Sequence, residues 1–290
     1  MQDNYLVVDG LTKHYSGFVL KDVSFSIPKG AVVGLIGENG AGKSTTIKSI
    51  LGLITKDSGT ITMLGKKNGD IDNSVRNQIG VVFDGSSFPE GLTPKKLNRV
   101  FRNIYQSWDE KEYYSLLEKL SLPTNKKLKE FSKGMKMKLS TAVALAHHSK
   151  LLILDEATTG LDPIVRDDIL DMFLEFVRGN NSILVSSHIT SDLEKVADYI
   201  VFIHQGSVVF VKSKDELKNQ YGISRCGAEQ FGILDKMDIT VSRKQRDVCE
   251  VLFSDRNSAQ KKYPNLVIEP ATIDEIMLLH IKSNGMKSSR

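Results

Sequence analysis

The feature that most constrains this chain is a glycine-rich segment, GENGAGKST, at residues 37–45. An apolar run at 31–36 enters it, and a helical-looking stretch at 45–53 leaves it. A buried strand, a glycine turn and a helix start, in that order, form a cradle for an anion. A glycine turn before an ordinary helix is the alternative, but it leaves the complete pattern G-x-x-x-x-G-K-[ST] unexplained. The residues at the defining positions are Gly37, Gly42, Lys43 and Ser44.

The residue types in this segment indicate its chemistry. Glycine lets the backbone bend around an anion without Cβ clashes. In such a loop, Lys43 supplies an ammonium for the β- and γ-phosphates, and Ser44 supplies a hydroxyl for magnesium. The segment therefore predicts binding of a nucleoside triphosphate with Mg²⁺. By itself it leaves kinases, GTPases and many ATPases open.

Length and composition limit the remaining possibilities. A chain of 290 residues predicts one large domain plus an appendage. No apolar stretch approaches the roughly 20 residues that cross a bilayer, and no N-terminal run resembles a signal peptide. We therefore expect a soluble intracellular chain that meets a membrane only through a partner. A lysine-rich patch at 126–138 favours a solvated basic face over a surface for nucleic acid or anionic lipid. Cys226 and Cys249 show no CxxC spacing and indicate neither a zinc site nor a disulfide scaffold.

The order of periodic segments predicts the fold class. Residues 5–28 alternate in part, with Val19, Val23, Phe25 and Ile27 on one face, which indicates antiparallel sheet. Continuous apolar runs typical of buried parallel strands follow later, interleaved with helical patterns. We expect an α/β fold with right-handed crossovers. The expected strands lie at 79–83, 151–154, 182–186, 199–203 and 206–211, and the expected helices at 93–105, 109–121, 132–148, 163–178 and 191–197.

The pattern changes near residue 222, so we divide the chain into an ATP-binding domain, 1–222, and a small α+β C-terminal accessory domain, 223–290. Two capping boxes are predicted, Ser213 with Glu216 and Thr272 with Glu275. Between them we expect a strand at 247–253, a helix at 257–262 and a strand at 266–269. The polar tail from Ser283 is expected to be mobile.

Two acids follow the apolar run at 151–154. In this context Asp155 suits magnesium, and Glu156 is placed to accept a proton from an attacking water. An acid pair that merely starts a helix after a strand is the alternative.

A further motif is decisive. The segment Phe131-Ser132-Lys133-Gly134-Met135 lies about twenty residues before Asp155. Here the chain resembles the nucleotide-binding subunit of ATP-binding cassette (ABC) transporters, whose signature reads LSGGQ. Ser132 and Gly134 match that signature, while Phe131, Lys133 and Met135 depart from it. The altered form resembles variants of the export branch for drugs, peptides and lipids.

The resemblance, which covers about residues 5–220, implies an α/β P-loop NTPase core with an antiparallel β subdomain and a helical insert at about 88–150. It also implies roles for single residues. Gly160-Leu161-Asp162 corresponds to the D-loop at the dimer seam, His188 to the switch histidine at the γ-phosphate, and Tyr15 to the aromatic that stacks on adenine. The family usually has glutamine where this chain has Asp84. We hypothesise that Asp84 keeps the metal contact. For the Lys133 ammonium two environments stay open: contact with a phosphate, or exposure to solvent.

These parts give a full candidate site with ATP and Mg²⁺ as cofactors. Metal contacts are assigned to Ser44, Asp155 and Asp84. Catalytic roles are assigned to Glu156, His188, Lys43 and Asp84. Nucleotide contacts are assigned to Tyr15, Gly37, Asn39, Gly40, Ala41, Gly42, Lys43, Ser44, Thr45, Ser132, Gly134 and Asp162.

The resemblance implies a head-to-tail dimer that holds two ATP molecules, with Ser132 and Gly134 of one copy completing the site of the other. The expected function is an ATPase subunit, on the cytoplasmic face of a membrane, that drives export of substrates such as peptides. Its expected partners are separate multi-span subunits and a second ATP-binding subunit, the same or a related chain; no nucleic acid is expected. Two alternatives stay open: a soluble ABC-type ATPase acting on nucleic acid or ribosomes, and a nucleotide-gated regulator that seldom turns over. The role of 223–290 stays open among regulation, dimerisation and covering the core.

Overall fold

A computed structural model of the chain describes residues 3–67, 69–85 and 88–283. The chain forms two compact units, Met1–Val211 and Lys212–Arg290. This division falls earlier than the boundary expected at residue 222. The reason is that the helix Lys214–Gln220 packs against the later elements Arg256–Lys262 and Glu269–Pro270.

The first unit contains the α/β core, and its last strand, Ser207–Ser213, continues two residues past Val211. Its strands are β1 (Asn4–Tyr15), β2 (Phe18–Pro28), β3 (Val32–Ile36), β4 (Ser58–Met63), β5 (Lys66–Lys67), β6 (Ile79–Phe83), β7 (Leu151–Asp155), β8 (Ser182–Ser187), β9 (Tyr199–His204) and β10 (Ser207–Ser213). Its helices are α1 (Lys43–Ile50), α2 (Asn73–Arg76), α3 (Pro94–Ile104), α4 (Glu110–Lys119), α5 (Lys133–Leu145), α6 (Pro163–Arg178) and α7 (Thr190–Val196), and a 3-10 turn spans Leu128–Glu130. The predicted segments of this unit thus agree with the structure to within a few residues.

Two sheets build this unit. One has the strand order β10-β9-β3-β8-β7-β6, in which β9, β3, β8, β7 and β6 run parallel. Every residue of β3, β7 and β8 is buried, which accounts for their continuous apolar sequences. The other sheet has the order β2-β1-β4-β5 and is antiparallel. A shared apolar cluster from β1, β2, β4, α1 and the parallel strands fills the space between them.

The face assigned to Val19 is a correction. Val19 is 39% exposed, whereas its neighbour Leu20 is fully buried. The pairing of β1 with β2 shifts between Leu20 and Val23, and Asp22 has a φ of 52°. One extra residue in a strand reverses the side-chain alternation beyond it, so the pattern read back from Val23 placed Val19 on the wrong face.

The segment between β6 and β7 forms a helical insert with its own core. Side chains of α3, α4 and α5, joined by Met172 of α6, make one buried cluster. Helix starts are fixed by side-chain caps, in which Thr93 accepts from the Lys96 N–H and Asp109 from the Lys111 and Glu112 N–H groups. The insert thereby holds the start of α5 as a defined helix N-terminus.

The second unit is a small α+β structure. Its elements are α8 (Lys214–Gln220), β11 (Gly222–Cys226), α9 (Ala228–Gly232), β12 (Val241–Gln245), β13 (Val248–Phe253), α10 (Arg256–Lys262), β14 (Glu269–Pro270) and α11 (Ile273–Lys282). The sheet has the order β12-β13-β11-β14. Cys226 and Cys249 are free and buried, and they are direct partners across β11 and β13.

Three further expectations for this unit meet the structure differently. The strand expected at 266–269 is wrong except at its end. Leu266 and Ile268 are buried and Val267 is 74% exposed, but pairing with β11 begins only at Glu269. The Thr272–Glu275 capping box is confirmed. At Ser213 only half of the box forms, because the Glu216 carboxylate pairs with Lys212.

Past Ser283, the tail that was expected to be mobile lies outside the described residues. Within the described ranges, none of the helices is both long and apolar enough to cross a membrane.

Candidate nucleotide-binding site

The glycine loop lies between β3 and α1, in the order that the sequence predicts. A Cβ on Gly37 would lie 2.3 Å from the Ile203 carbonyl oxygen, so only glycine fits there without a backbone shift. Gly42 adopts a φ of 115° and is the N-cap of α1. The first N–H groups of α1 have no carbonyl partner within the helix, and they create a positive site for an anion at this end.

Lys43 is the first residue of α1 and is only 5% exposed. Its ammonium donates to the carbonyl oxygens of Gly37, at 2.8 Å, and Glu38, at 3.2 Å. It also forms an ion pair with Glu156 Oε1, at 3.3 Å. The loop therefore holds a buried cation at its own centre, where a phosphate oxygen can replace one of these partners.

Asp155 ends β7 and is buried. Ser44 Oγ donates to its Oδ1 atom at 3.1 Å, and Ser186 Oγ donates to the same oxygen at 2.6 Å. The register of β7 and β8 places Asp155 directly beside Ser186. Two hydroxyls thus orient this carboxylate at the foot of the glycine loop.

Glu156 follows in the left-handed backbone region, with a φ of 54°. Its N–H donates to Ser186, and its Oε2 atom accepts from Thr159 Oγ1 at 2.6 Å and lies 2.7 Å from His188 Nδ1. Burial opposes ionisation of this carboxyl, but the Thr159 hydroxyl, the Lys43 ammonium and His188 together hold its pKa below the ordinary value. Glu156 is consequently a carboxylate at neutral pH, as a general base must be.

These groups surround one pocket. The predicted site residues that line it are Asn39, Gly40, Gly42, Lys43, Ser44, Thr45, Asp84, Glu156 and His188. Phe18 and Thr159 line it as well, although the sequence analysis did not select them. Gly37, Ala41 and Asp155 support the pocket from behind: the first two belong to the loop, and the third bonds to Ser44.

Tyr15 lies at the edge of this arrangement. It is 44% exposed and pairs across the β1–β2 hairpin with Phe18, which lines the pocket. Directly opposed residues of an antiparallel pair project to the same face. Tyr15 and Phe18 thus offer two neighbouring rings beside the glycine loop, of which the sequence reasoning identified only one.

Three predicted residues lie at helix starts and do not line this pocket. Ser132 Oγ accepts from the Met135 N–H at 3.2 Å and caps α5. Gly134 packs closely on α6, where an added Cβ would lie 3.1 Å from Val165 Cγ1. Asp162 caps α6 by accepting from the Val165 N–H at 3.0 Å. None of the three is among the residues that line the pocket with Lys43.

Thr159 and Ser186 contact the two acids, and the sequence reasoning missed both of them. Serine and threonine occur throughout the chain, so composition gives no signal. Proximity does: Thr159 is three residues after Glu156, and Ser186 is the β8 partner of Asp155. A register for neighbouring parallel strands would have identified Ser186.

The donor set suits a hard cation. Ser44 and Asp155 present oxygen atoms 3.1 Å apart, and Asp84 lines the same pocket. Within the described residues no cluster of three or more His, Cys, Asp or Glu could hold a metal by itself. A few protein oxygens completed by phosphate oxygens and water is the usual way in which Mg²⁺ is bound.

Comparisons with known proteins agree with this geometry. The sequence profile of the ABC transporter family matches residues 20–159. The chain is 36% identical over 207 residues to the ABC transporter ATP-binding protein YtrB of Bacillus subtilis, covering 70% of each chain. It is 36% identical over 217 residues to the lantibiotic transport ATP-binding protein SrtF of Streptococcus pyogenes, covering 74% of this chain and 93% of that protein. It is 34% identical over 214 residues to the bacitracin transport ATP-binding protein BcrA of Bacillus licheniformis, covering 72% of this chain and 70% of that one.

Among solved structures, an ATP-binding subunit of an ABC transporter superposes with a TM-score of 0.68 at 32% identity, over 79% of this chain and 94% of that chain. The chain therefore belongs to the family of ATP-binding subunits of ABC transporters. It binds and hydrolyses ATP, and the resemblance inferred from Ser132, Gly134 and the glycine loop is confirmed.

Proposed function

We propose that this chain is the motor subunit of an exporter, in which two copies close on two ATP molecules and separate after hydrolysis. The observation that carries the proposal is the set of contacts around the Glu156 carboxylate. The Glu156 carboxylate, held ionised by Thr159, Lys43 and His188, lines the same pocket as the glycine loop, where the γ-phosphate would lie.

In this proposal Glu156 accepts the proton of the attacking water. Lys43 leaves its ion pair with Glu156 when phosphate oxygens replace that partner, which frees the carboxylate for the water. His188, bonded to Glu156 through Nδ1, orients it and presents its other nitrogen to the γ-phosphate. The N–H groups of α1 receive the negative charge of the phosphates.

Magnesium would be held by Ser44 and Asp155, with Asp84 beside them. When bound, it neutralises charge on the β- and γ-phosphates. Ser186 keeps Asp155 in place for that contact through the bond to Oδ1. Tyr15, together with Phe18, would receive the adenine ring by stacking.

The second copy supplies what each cradle lacks. Ser132 and Gly134 begin α5, whose N-terminus has free N–H groups suited to a γ-phosphate. They do not line the pocket of their own chain, so they would act on the ATP of the partner. Asp162 and its loop would lie at the seam. Each chain carries both halves, which supports an identical pair.

Transport would require separate membrane-spanning subunits, with this chain attached to them on the cytoplasmic side. Relatives named for lantibiotic and bacitracin transport support an export direction and a peptide-like cargo. Recovery of the chain from membranes together with a multi-span protein is the expected result; recovery with ribosomes or nucleic acid instead would favour the soluble alternative.

The catalytic assignment is tested by Glu156→Gln. We expect ATP hydrolysis to fall by roughly 10²–10⁴-fold, the usual size of a general-base effect, while ATP binding is retained. Glu175→Gln is a matched control, since Glu175 is an exposed carboxylate paired with Lys119, and it should hydrolyse ATP at the wild-type rate. Full turnover by Glu156→Gln would remove Glu156 from the role of base.

A further inference from the structure

Two residues of the site that depart from the family pattern contact each other. Lys133 Nζ lies 2.8 Å from Asp84 Oδ1. The family pattern has glycine at the position of Lys133 and glutamine at that of Asp84, so this chain carries one added cation and one added anion. The sequence left the Lys133 charge to a phosphate or to solvent, whereas the structure gives it a carboxylate partner.

The pair lies where three motif segments approach one another. Asp84 lines the nucleotide pocket, and its N–H donates to the Asp155 carbonyl oxygen at 2.9 Å. Lys133 follows Ser132 at the start of α5. A Cβ on Gly160 would lie only 3.2 Å from Lys133 Nζ. One ammonium thus contacts the loop after β6 and lies beside the loop that follows Glu156.

We infer that Asp84 and Lys133 act as one unit, with Lys133 as a positioning residue that holds and neutralises the Asp84 carboxylate beside the nucleotide. The inference rests on the proposed function, because it concerns the same ATP site. It explains why the pocket can contain a carboxylate at this position and still accept a polyanion: Asp84 brings its own counter-charge.

The charges at the site predict whether each substitution strengthens or weakens ATP binding. Asp84, Asp155 and Glu156 are three acids at a site for a triphosphate. Without Lys133, the Asp84 charge would oppose ATP directly. With Asp84 also changed to neutral glutamine, that opposition disappears and the loss of Lys133 should matter little.

The size of the effect follows from exposure. The side chains of Lys133 and Asp84 are 44% and 46% exposed, so water screens the pair, and exposed pairs of this kind change equilibria by about two- to fivefold. A double-mutant cycle resolves such a coupling because it isolates the pairwise contribution.

The test uses Asp84→Gln, Lys133→Met and the double variant. ATP affinity is measured in EDTA, which removes the metal, and again with Mg²⁺ and a non-hydrolysable ATP analogue. We expect Lys133→Met to weaken ATP binding in EDTA by about two- to fivefold, and the double variant to return to within about twofold of wild type. Hydrogen exchange at 83–85 and 132–136 in the nucleotide-free protein should rise equally in all three variants, because each breaks the same contact.

Lys136→Met is the matched control. Lys136 lies one turn further along α5 and pairs with Glu90 rather than with a pocket residue, so this variant should bind ATP as wild type does. Equal effects of Lys133→Met and Lys136→Met, or effects of Asp84→Gln and Lys133→Met that simply add, would overturn the inference. Failure of the wild-type chain to bind and hydrolyse ATP would instead count against the proposed function.

Discussion

Hydrogen bonds from hydroxyl groups fix the orientation of the two acids on which the chemistry depends. Asp155 accepts hydrogen bonds from the Ser44 and Ser186 hydroxyls, and Glu156 accepts one from the Thr159 hydroxyl. Hydrogen bonds to charged groups are stronger than those between neutral ones, and losing one inside a protein costs about 1.5–3 kcal/mol. The orientation of both carboxylates is therefore established before nucleotide arrives.

The close packing at Gly37 predicts the effect of replacing it with alanine. In Gly37→Ala the new methyl group would meet the Ile203 carbonyl oxygen at 2.3 Å, so either the glycine loop or β9 must move. We expect a loss of about 1–3 kcal/mol in the free energy of unfolding, as for an overpacked site, together with weakened ATP binding. Chemical denaturation and ATP titration measure the two effects.

Gly91→Ala is the control for that substitution. Gly91 has nothing within 4 Å of an added Cβ and no positive φ. Its free energy of unfolding should change by no more than about 0.5 kcal/mol. Equal stability of the two variants would show that the close approach at Gly37 does not constrain the loop.

Residue spacing predicted part of this site and could not predict the rest. Lys43 and Ser44 follow from a fixed pattern, since a phosphate cradle requires those types at those places. The Lys133–Asp84 contact joins residues far apart in sequence, and only the packing of the insert brings them together. No local pattern encodes that distance.

Among the secondary-structure elements, the junction of α5 with β6 contains a buried histidine. His147, just after α5, is 1% exposed and stacks on the Tyr105 ring, with 4.0 Å between ring centroids. Its two nitrogens lie 3.1 Å from the Val143 carbonyl oxygen and 3.2 Å from that of Ile79. His147 therefore links α5, the helix capped by Ser132, to β6, the strand that precedes Asp84.

The protonation of His147 gives a pH prediction. Burial lowers the pKa of His147, and the two carbonyl oxygens only partly oppose this. The unfolded chain then binds a proton more readily than the folded one below about pH 6.5, the ordinary histidine pKa, so stability falls as pH drops below that value. One such proton changes the free energy of unfolding by at most about 1.4 kcal/mol per pH unit.

Urea denaturation at pH 7.5 and 5.5 measures this effect. We expect His147→Gln to lose less stability between the two values than the wild type does. An unchanged difference in His147→Gln would assign the acid sensitivity to other groups.

Element boundaries show where sequence patterns succeed. Both ends of β6 and the first residue of α6 were predicted correctly, because an apolar run and an N-terminal proline after Asp162 mark them clearly. The face of Val19 was mispredicted because of the irregularity near Asp22, and alternating burial at 266–268 occurs without strand pairing. Side-chain alternation reports burial, whereas a strand also needs a backbone partner.

The whole molecule consists of two units, of which the first contains the residues that match the family profile. The family profile ends at residue 159, and the relatives compared above cover 70–74% of this chain. The second unit, from Lys212, has its own buried cluster. The expectation that ATP joins two copies concerns the first unit, which contains both the glycine loop and the start of α5.

Nucleotide-driven association tests the central claim most directly. The Glu156→Gln protein, which should hold ATP without cleaving it, is examined by sedimentation with and without ATP and Mg²⁺. We predict a species of twice the mass of one chain only when ATP is present. A parallel sample uses the double variant Glu156→Gln/Ser132→Arg, which should still bind ATP but remain monomeric. A Glu156→Gln protein that stays single at saturating ATP would contradict the account.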